Sequence, residues 1–408
     1  MRLVIGSSDL NEGGGILTYV RGISKYLTEN GHNVLICSTS YNPQIHTTEN
    51  IYESFIYDSK INEIDEISRL LKVIEEFNPD AVINNDNIYI SGLLPCFHPR
   101  IVRISVVHGY REYIGWDPHK IINKAATYNN EYIDWIITIS DHMLKGMQKD
   151  KRLSNDQLRM IYNGLNPSVN TLIDKQIRKS SKIRTFIFAG GAKKEKGGLT
   201  LLNALRYSIN RIPNIKVYWV GNIPCTGKVS SKSLSKFNNL DVLGFISNNE
   251  LLQILGQSHF LIMPSLAEGC PMLLLEAMSL GVVPIVSDCP SAMIEIIEKS
   301  KSGFAIKTKD YKSLSSTIEL VSNENFNWEI QSNNCYEYFQ NNLRIQHLCD
   351  SLIDLCKQIR QTRNKNLKKF PPKGLVSFHR RSYHGNKLNI SNIFLRIGYL
   401  LGKLSKIS

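Results

Sequence analysis

The chain has 408 residues, of which 42% are hydrophobic, and a formal net charge of +13, which allows two α/β domains of ordinary size. No stretch reaches the roughly 18–20 apolar residues that a membrane span requires, and the short apolar start MRLVIGSS favours a strand over a signal peptide. The eight cysteines form no Cys-x-x-Cys pair, which argues against a zinc site or a disulfide scaffold and favours a reduced cytoplasmic protein.

The N-terminal residues predict a strand–helix–strand unit with a glycine-rich turn. Its elements are a strand at 2–6, a helix at 15–30 and a strand at 33–38. Gly31 is well placed to end the helix. Gly13, Gly14 and Gly15 form either a plain tight turn or a loop whose backbone approaches a ligand closely. The turn is not a Gly-x-Gly-x-x-Gly fingerprint and no acidic residue ends the next strand, so nicotinamide binding is disfavoured.

The alternation of strands and helices continues through the first domain. The predicted elements are a helix near 63–77 and strands at 80–84, 101–107 and 134–139. The strand IVRISVV ends at His108, at a carboxyl edge where ligands of parallel sheets usually bind. A lone histidine is more often structural, but this position favours a functional role. The strand and turn MIYNGLN (160–166) and a polar linker (166–182) then close a predicted first domain, residues 1–178.

A second domain, residues 183–325, is predicted from the strand RTFIFAGG and the turn AKKEKGG that follows it. Later elements are strands at 215–221, 240–245 and 302–307, helices that begin near Ser247, Ser291 and residue 310, and a helical segment at 326–360. The first residues of the helix near Ser247 suit an N-cap.

The most informative stretch is His259–Ser287, which reads as strand, loop, helix and strand. Pro271 suits the first position of the helix, and the helix N-terminus presents free N–H groups and a positive dipole end to an anion. Glu268 lies in the loop before the helix and Glu276 lies about a turn and a half into it. Together these groups form an anion cradle with a carboxylate on each side, as a nucleotide sugar requires. In the alternative interpretation Glu276 is a solvent-facing helix position.

The order of residues around these two glutamates resembles the retaining GT-B glycosyltransferases of the family 4 type, also called glycosyl transferases group 1. The resemblance extends over roughly residues 1–360. It implies an α/β GT-B fold, in which two Rossmann-like doubly wound domains face each other across a cleft. The first domain then binds the acceptor, the second binds the donor, and residues 326–360 return onto the first.

The resemblance also implies roles for individual residues. Glu268 and His108 become the catalytic residues near the reacting sugar. The donor nucleotide sugar is bound by the glycine loop, by Lys196 at its diphosphate, by the turn at its base and by the central helix; these residues are Gly14, Gly15, Lys196, Gly244, Phe245, Pro271, Met272, Leu273 and Glu276. No cofactor and no metal ion are expected, because no Asp-x-Asp is present for a metal–diphosphate handle.

The sequence departs from the family pattern at one donor position. The family carries Gly-Arg, a spacer and Lys-Gly after the first strand of this domain, and Gly191 occupies the arginine position. A missing guanidinium removes a bidentate phosphate clamp, and lysine binds phosphate only as a point charge. Lys193 and Lys194 are close enough in sequence to compensate, or else face solvent.

The basic charge is concentrated in a tail, residues 363–408, which holds eleven Lys and Arg and no acidic residue and leaves +2 for the remainder. Within 388–407, apolar residues recur at helical spacing at Ile390, Ile393, Phe394, Ile397, Leu400, Leu401, Leu404 and Ile407. A basic amphipathic helix of this kind binds an anionic membrane surface or docks on its own protein. Nucleic acid is disfavoured as a partner, because no recognition module is present.

The sequence therefore predicts a cytoplasmic enzyme, peripheral on the inner face of the plasma membrane. It moves a hexose from a UDP- or GDP-linked sugar to a glycan or lipid-linked glycan acceptor, with retention, in cell-surface polysaccharide biosynthesis. The alternatives are a non-catalytic nucleotide-sugar-binding scaffold and a GT-B-fold nucleotide-sugar epimerase.

Overall fold

The computed structural model describes residues 1–7, 10, 15–38, 53–56, 63–109, 127, 129–166, 178–208, 212 and 214–363. They divide into two compact units. The first contains the described residues of Met1–Ile139, Leu144–Ile161 and the segment from Cys349 onwards. The second contains Ser140–Met143 and the described residues of Tyr162–Leu348. The predicted tail lies outside the described residues from residue 364 onwards.

The first unit is built on a seven-stranded parallel sheet with the order β3-β2-β1-β4-β5-β6-β7. Its strands are β1 Arg2–Ser7, β2 Asn33–Ser38, β3 Glu53–Ile56, β4 Ala81–Asn85, β5 Val102–Val107, β6 Trp135–Thr138 and β7 Leu158–Met160. The central strands β4 and β5 are buried along their whole length, as expected for a parallel sheet covered on both faces.

The second unit is built on a six-stranded parallel sheet with the order β10-β9-β8-β11-β12-β13. Its strands are β8 Arg184–Ala189, β9 Ile215–Val220, β10 Leu240–Gly244, β11 Phe260–Met263, β12 Val283–Ser287 and β13 Phe304–Ile306. In both sheets the first strand of the unit lies beside the fourth, and the strand order reverses direction between them. This is the Rossmann order, and the reversal is the point where such sheets usually bind ligands.

Helices alternate with these strands. The described helices of the first unit include Gly15–Glu29, Glu63–Phe77 and Ile88–Leu93. Two helices, Asp141–Met147 and Ile345–Arg363, each have residues in both units. The described helices of the second unit are Gly198–Ser208, Ser231–Leu234, Asn248–Gln257, Met272–Ser279, Ala292–Ser300, Tyr311–Ser322 and Trp328–Asn342. The two parallel sheets with alternating helices confirm the predicted α/β class and its Rossmann-like character.

Local signals in the sequence are reproduced at several element ends. Gly31 lies two residues after the last residue of the first helix and has φ of +78°, which is the left-handed conformation predicted for a helix-ending glycine. Ser247 caps its helix in a reciprocal capping box, in which its side chain accepts from the Glu250 N–H and Glu250 accepts from the Ser247 N–H at 2.8 Å. Ser291 likewise caps the helix that begins at Ala292.

Six element predictions need correction. The strand β3 and the short helices Ile88–Leu93 and Asp141–Met147 were not predicted; the first of these two helices has only six residues, too few for a hydrophobic period, and Asn87 caps it. The strand of the predicted strand and turn at 160–166 lies earlier in the chain: β7 spans Leu158–Met160, and Leu165 makes only an isolated bridge to Arg344. Pro271 is the N-cap rather than the first helical residue. Residues 326–360 were predicted to return to the first domain, but the helix Trp328–Asn342 belongs to the second unit. There the Trp328 side chain donates a hydrogen bond to the His259 carbonyl, and the Ser332 side chain donates to the Gly281 carbonyl. The chain rejoins the first unit only at Cys349.

Candidate active site

The best-formed polar site lies at the carboxyl edge of the second sheet, where the strand order reverses between β8 and β11. Lys196 lies in the turn that follows β8, and Glu268 lies in the loop that follows β11. Lys196 Nζ is 2.8 Å from Glu268 Oε1. The two residues predicted to contact the diphosphate and the sugar are therefore direct neighbours at the position where a Rossmann sheet usually binds its ligand.

The Glu268 carboxylate is nearly buried, and only one of its two oxygens accepts hydrogen bonds from the described part of the chain. Its side chain is 9% exposed, whereas that of Lys196 is 34% exposed. Ser265 Oγ also donates to Glu268 Oε1, at 2.7 Å. Within the described part of the chain, no group donates to Oε2. One carboxylate oxygen is thus fixed by two donors and the other remains available to a substrate hydroxyl.

The turn that carries Lys196 is shaped by glycines that admit no side chain. Gly197 has φ of +75°, and a Cβ atom there would lie 1.8 Å from the Pro264 carbonyl oxygen. Gly191 has φ of +55°, and a Cβ there would lie 2.7 Å from the Asn222 carbonyl oxygen. Lys193 and Lys194 are both exposed. The backbone conformation at Gly191 is therefore incompatible with the arginine that the family pattern places there. The shape of this turn excludes an arginine side chain at position 191.

Backbone hydrogen bonds hold the loop around Glu268. Leu266 N–H donates to the Glu195 carbonyl at 2.7 Å and so ties this loop to the lysine turn. Asn163 Nδ2 donates to the Cys270 carbonyl at 2.8 Å, and Ala292 N–H donates to the Gly269 carbonyl at 2.8 Å. Ser265 and Asn163 were not among the predicted site residues. Ser265 lies only three residues before Glu268, at the end of the strand region. Asn163 belongs to an Asn-Gly pair but gains its role only from Cys270, 107 residues further along the chain.

Glu276 is buried inside the central helix. It is 6% exposed, and none of the described residues donates a hydrogen bond to its carboxylate. Burial raises the pKa of the Glu276 carboxyl to about 7. The alternative interpretation of Glu276 as a solvent-facing position is therefore wrong. A buried carboxyl group without a protein partner costs free energy, which is the pattern expected of a ligand-binding residue.

The remaining predicted donor residues of this unit lie at the same carboxyl edge. Pro271, Met272 and Leu273 open the helix beside Glu268. The Leu274 N–H donates to the Pro271 carbonyl at 3.1 Å, whereas the N–H groups of Met272 and Leu273 precede the first carbonyl acceptor of the helix. Gly244 ends β10 with φ of +66°, and Phe245 after it is 80% exposed. An aromatic ring this exposed is free to stack on a nucleobase.

The predicted site residues of the first unit follow two of its strands, β5 and β1. His108 directly follows β5, where its Nε2 lies 3.0 Å from Asn85 Oδ1 and its ring contacts Tyr19 edge-on at 4.6 Å between centroids. Burial lowers the pKa of His108 to about 4, so the imidazole is neutral at pH 7. Gly15 is the first residue of the helix after β1, and Gly14 lies outside the described residues.

Two family models match the chain in succession. The model for Glycosyltransferase Family 4 matches residues 13–169, and the model for Glycosyl transferases group 1 matches residues 169–342. The chain belongs to the family 4-type GT-B glycosyltransferases. The sequence resemblance is thereby confirmed over most of its predicted extent.

Individual relatives of this glycosyltransferase are distant. It is 26% identical to the uncharacterized glycosyltransferase MJ1059 of Methanocaldococcus jannaschii over 56% of this chain and 60% of that protein. It is 28% identical to the Escherichia coli UDP-Gal:alpha-D-GlcNAc-diphosphoundecaprenol alpha-1,3-galactosyltransferase over 46% of this chain and 50% of that protein. These alignments thus span about half to three fifths of each relative.

A solved structure supports the fold over nearly the whole chain. Anabaena Alr3699/HepE in complex with UDP superposes with a TM-score of 0.67 and 14% identity, covering 90% of this chain and all of that one. The same protein was also solved with UDP-glucose. At this identity the likeness shows the GT-B glycosyltransferase fold alone.

Two other kinds of feature are absent from the described residues. No group of three His, Cys, Asp or Glu residues there is arranged to hold a metal ion. No helix in the same residues is both long and apolar enough to cross a bilayer.

Proposed function

We propose that this glycosyltransferase moves a hexose from a UDP- or GDP-linked sugar to a hydroxyl of a glycan or lipid-linked glycan acceptor, with retention of anomeric configuration and without a metal ion. The observation that carries the proposal is the Lys196–Glu268 pair at the point where the strand order of the second sheet reverses. The lysine cation suits the diphosphate of a nucleotide sugar, and the carboxylate, with one free oxygen, suits a hydroxyl of the sugar.

Each donor group has a matching side chain in the second unit. Lys196 and the N–H groups that open the helix Met272–Ser279 meet the diphosphate, since both are positive. Glu276 accepts from the ribose diol, and its buried carboxyl group then gains the partner that the protein does not provide. Phe245 stacks on the base, with Gly244 allowing close approach of the backbone.

The chemical step places new negative charge on the nucleotide. When the bond between the sugar C1 and the diphosphate oxygen breaks, its electron pair remains on that oxygen. The oxygen of the acceptor hydroxyl forms the new bond to C1, and the proton of that hydroxyl passes to the departing diphosphate. Lys196 stabilises the departing diphosphate. Glu268 lies beside Lys196 and binds a sugar hydroxyl through Oε2, and His108 of the first unit acts near the reacting sugar as the second catalytic residue.

The relatives support this choice of substrates. The name of the Escherichia coli relative gives a UDP-linked donor and an acceptor sugar on diphosphoundecaprenol. The Anabaena neighbour binds UDP-glucose. By this likeness we assign the present chain to polysaccharide biosynthesis at the cell surface, of the lipopolysaccharide or capsule kind, with the acceptor on the first unit and the donor on the second.

The basic tail supports a location at the membrane that holds such acceptors. Residues 363–408 carry eleven basic and no acidic residues, and residues 388–407 contain an apolar stripe at helical spacing. Attraction to anionic lipids and burial of the stripe would together hold a cytoplasmic enzyme on the inner face of the plasma membrane.

The proposal is tested first by thermal unfolding of the purified chain with a panel of UDP- and GDP-linked hexoses. A ligand at a hundredfold excess over its Kd stabilises the folded state by about 2.7 kcal/mol. The ligand that stabilises the protein is then incubated with a glycan extract, and nucleoside diphosphate release is measured with and without the extract.

The outcomes separate the three candidate functions. Release that depends on the acceptor supports transfer. Tight binding without consumption of the nucleotide sugar supports the scaffold, and a changed sugar still attached to its nucleotide supports the epimerase. If none of the panel stabilises the protein, the proposed donor site is wrong.

A further inference from the structure

The two side chains that donate hydrogen bonds to Glu268 differ in how freely they can move. Lys196 Nζ and Ser265 Oγ both contact Glu268 Oε1, at 2.8 and 2.7 Å. The Lys196 side chain is 34% exposed, whereas Ser265 is 1% exposed. A long, partly exposed lysine can turn its ammonium toward a new anion, but a short buried serine side chain cannot. Of these two donors, Ser265 is therefore the fixed one.

Ser265 is held in place from both sides through its backbone and that of the next residue. Ser287, the last residue of β12, is fully buried, and its Oγ donates to the Ser265 carbonyl. On the other side, the Leu266 N–H donates to the Glu195 carbonyl at 2.7 Å. Neither contact involves the Lys196 side chain. The Ser265 hydroxyl therefore keeps its position when that lysine moves.

A bound diphosphate changes the surroundings of the Glu268 carboxylate. In the proposed function Lys196 neutralises the diphosphate, so its ammonium is drawn from Glu268 toward the phosphate oxygens. The Glu268 side chain is 9% exposed, and a nearly buried carboxylate that has lost its donors costs free energy or turns toward water. Among the residues that the structure describes, Ser265 is the one donor to this carboxylate that remains.

We propose that Ser265 is a positioning residue of this glycosyltransferase, which keeps Glu268 directed at the sugar after the donor diphosphate has drawn Lys196 away. The inference rests on the proposed function and deepens it, because it names the group that preserves the geometry of Glu268 during the chemical step. Ser265 holds Oε1, so Oε2 stays available to a sugar hydroxyl while negative charge builds on the diphosphate. Ser265 acts through Glu268 and contacts neither the sugar nor the diphosphate.

This role couples Ser265 to Glu268 in the binding of a nucleoside diphosphate. With the serine hydroxyl present, Lys196 leaves behind a carboxylate that keeps one donor. Without the hydroxyl, the same movement leaves a nearly buried charge with no donor from the described part of the chain, so nucleotide binding should weaken. In Glu268→Gln no charge is left behind, and the serine hydroxyl should have little effect on nucleotide affinity.

The test is a double-mutant cycle in the full chain, with UDP and GDP as probes and isothermal titration calorimetry as the measurement. Ser265→Ala and Ser265→Cys are each combined with the wild-type Glu268 and with Glu268→Gln. We expect Ser265→Ala alone to weaken binding of the preferred nucleotide by about fivefold or more, and by less than about twofold in the Glu268→Gln background. Ser265→Cys keeps a weak donor of similar size, so its affinity should lie between those of Ser265→Ala and the wild type.

Ser258 offers a matched control at the opposite end of the same strand. It precedes β11, is fully buried, and its Oγ donates to the Ile254 carbonyl at 2.8 Å. Ser258→Ala thus removes a buried serine hydroxyl at the amino edge of the sheet, away from the proposed donor groups. It should leave nucleotide affinity and kcat unchanged in both backgrounds, whatever its effect on Tm.

Turnover separates a positioning role from a purely structural one. Ser265→Ala should lower kcat by about tenfold or more, because a displaced Glu268 no longer meets the reacting sugar correctly. The donor KM should rise by no more than the factor measured for the nucleotide. Thermal unfolding checks that each variant is folded at the assay temperature. If Ser265→Ala does not fold, the comparison of Ser265→Cys between the two backgrounds decides the question.

Failure of this role is distinguishable from failure of the proposed function. If Lys196→Ala weakens nucleotide binding but the Ser265 variants have the same effect with and without Glu268→Gln, only the positioning role is wrong. An unchanged kcat in folded Ser265→Ala would also overturn it. If neither UDP nor GDP binds the wild type, the proposed donor site is wrong, and the role of Ser265 falls with it.

Discussion

At the scale of single residues, Lys196 and Glu268 neutralise each other before any substrate is bound. A diphosphate must therefore compete with the Glu268 carboxylate for the lysine Nζ, 2.8 Å away. We expect the two residues to have opposite effects on the affinity for a nucleoside diphosphate, although we propose that both are needed for transfer.

We predict that Lys196→Ala weakens binding of UDP or GDP by about tenfold or more, since a charged hydrogen bond is lost. Glu268→Gln should tighten binding of the same nucleotide while lowering turnover, because Lys196 is then no longer paired with a negative charge. Isothermal titration calorimetry measures the first quantity and product release the second. Lys194→Ala is the control, being an exposed lysine in the same turn. Weaker nucleotide binding by Glu268→Gln would contradict this account.

Glu276 gives a pH-dependent prediction for stability. Its folded pKa of about 7 lies above the unfolded value of about 4.3, so the two states differ in protonation between these limits. Below pH 4 both states are protonated. As pH rises to 7, the unfolded state loses its proton first, and the wild type loses roughly 3 kcal/mol of stability through this group.

We therefore expect Glu276→Gln, which does not titrate, to raise Tm relative to the wild type by a few degrees at pH 8 and by little at pH 4. Donor protection should be lost in the variant. Thermal unfolding of both proteins without ligand over this pH range provides the measurement. Asp86 also has a pKa of about 7, but it is present in both proteins and cancels in the difference. A constant difference in Tm between pH 4 and 8 would refute the buried, protonated state.

The two glutamates could be singled out from the sequence because their spacing follows the strand–loop–helix pattern of one continuous stretch. Lys196 could be singled out only by its resemblance to the Lys-Gly pair of the family. The sequence was not sufficient to tell whether Glu276 is buried, because burial depends on packing around the helix that only the fold supplies. The backbone conformation at Gly191 was likewise inaccessible, because it depends on Asn222 in the next crossover.

At the scale of elements, the lysine turn is held by close backbone contact rather than by side chains. Gly197 lies against the Pro264 carbonyl, and Leu266 N–H bonds to the Glu195 carbonyl. The turn after β8 and the loop after β11 therefore form one packed unit whose spacing sets the Lys196–Glu268 distance.

We predict that Gly197→Ala is far more damaging than Gly31→Ala, although both glycines have φ near +75°. A Cβ at Gly31 meets nothing within 4 Å, so only the left-handed strain of about 1 kcal/mol applies. At Gly197 the same strain is joined by a Cβ 1.8 Å from the carbonyl oxygen, which must displace the turn. Chemical denaturation of the two variants compares their stability, and equal losses would show that the turn is not closely packed.

Element ends were predictable where the signal is local and not where it is distant. The capping box of Ser247 and Glu250 spans four residues and reads directly from the sequence. The strand β3 instead depends on its pairing with β2. The assignment of the helix Trp328–Asn342 to the second unit depends on hydrogen bonds from Trp328 and Ser332 to carbonyls about 50–70 residues earlier in the chain.

At the scale of the whole molecule, most of the net positive charge lies in a different part of the chain from the proposed site residues. The helix Ile345–Arg363 ends where the basic tail begins, and all the predicted site residues lie before residue 280. The tail can therefore be removed without touching the proposed site.

We predict that a chain ending at Arg363 folds and turns over a soluble acceptor as the full chain does, but no longer sediments with phosphatidylglycerol vesicles. Each basic residue near an anionic leaflet contributes about 1 kcal/mol, and the apolar stripe adds burial. Leu400→Glu with Leu404→Glu should release the full chain nearly as well, and Leu320→Glu, at an exposed leucine outside the tail, is the control. Loss of folding on truncation would show instead that the tail packs on the enzyme.

The course of the chain through its two units bears on how the protein is made. The first unit is completed by the segment after Cys349, where Trp135 Nε1 bonds to the Leu355 carbonyl at 3.3 Å across 220 residues of sequence, and Arg360 pairs with Asp80 at 2.6 Å. A ribosome adding about 5–20 residues per second leaves roughly 10–45 s between the synthesis of Trp135 and that of its partner. During that interval the nascent first sheet lacks its closing helix and exposes apolar surface. Translation speed and chaperone supply, rather than the final stability of the enzyme, should therefore limit how much of it reaches the native state in the cell.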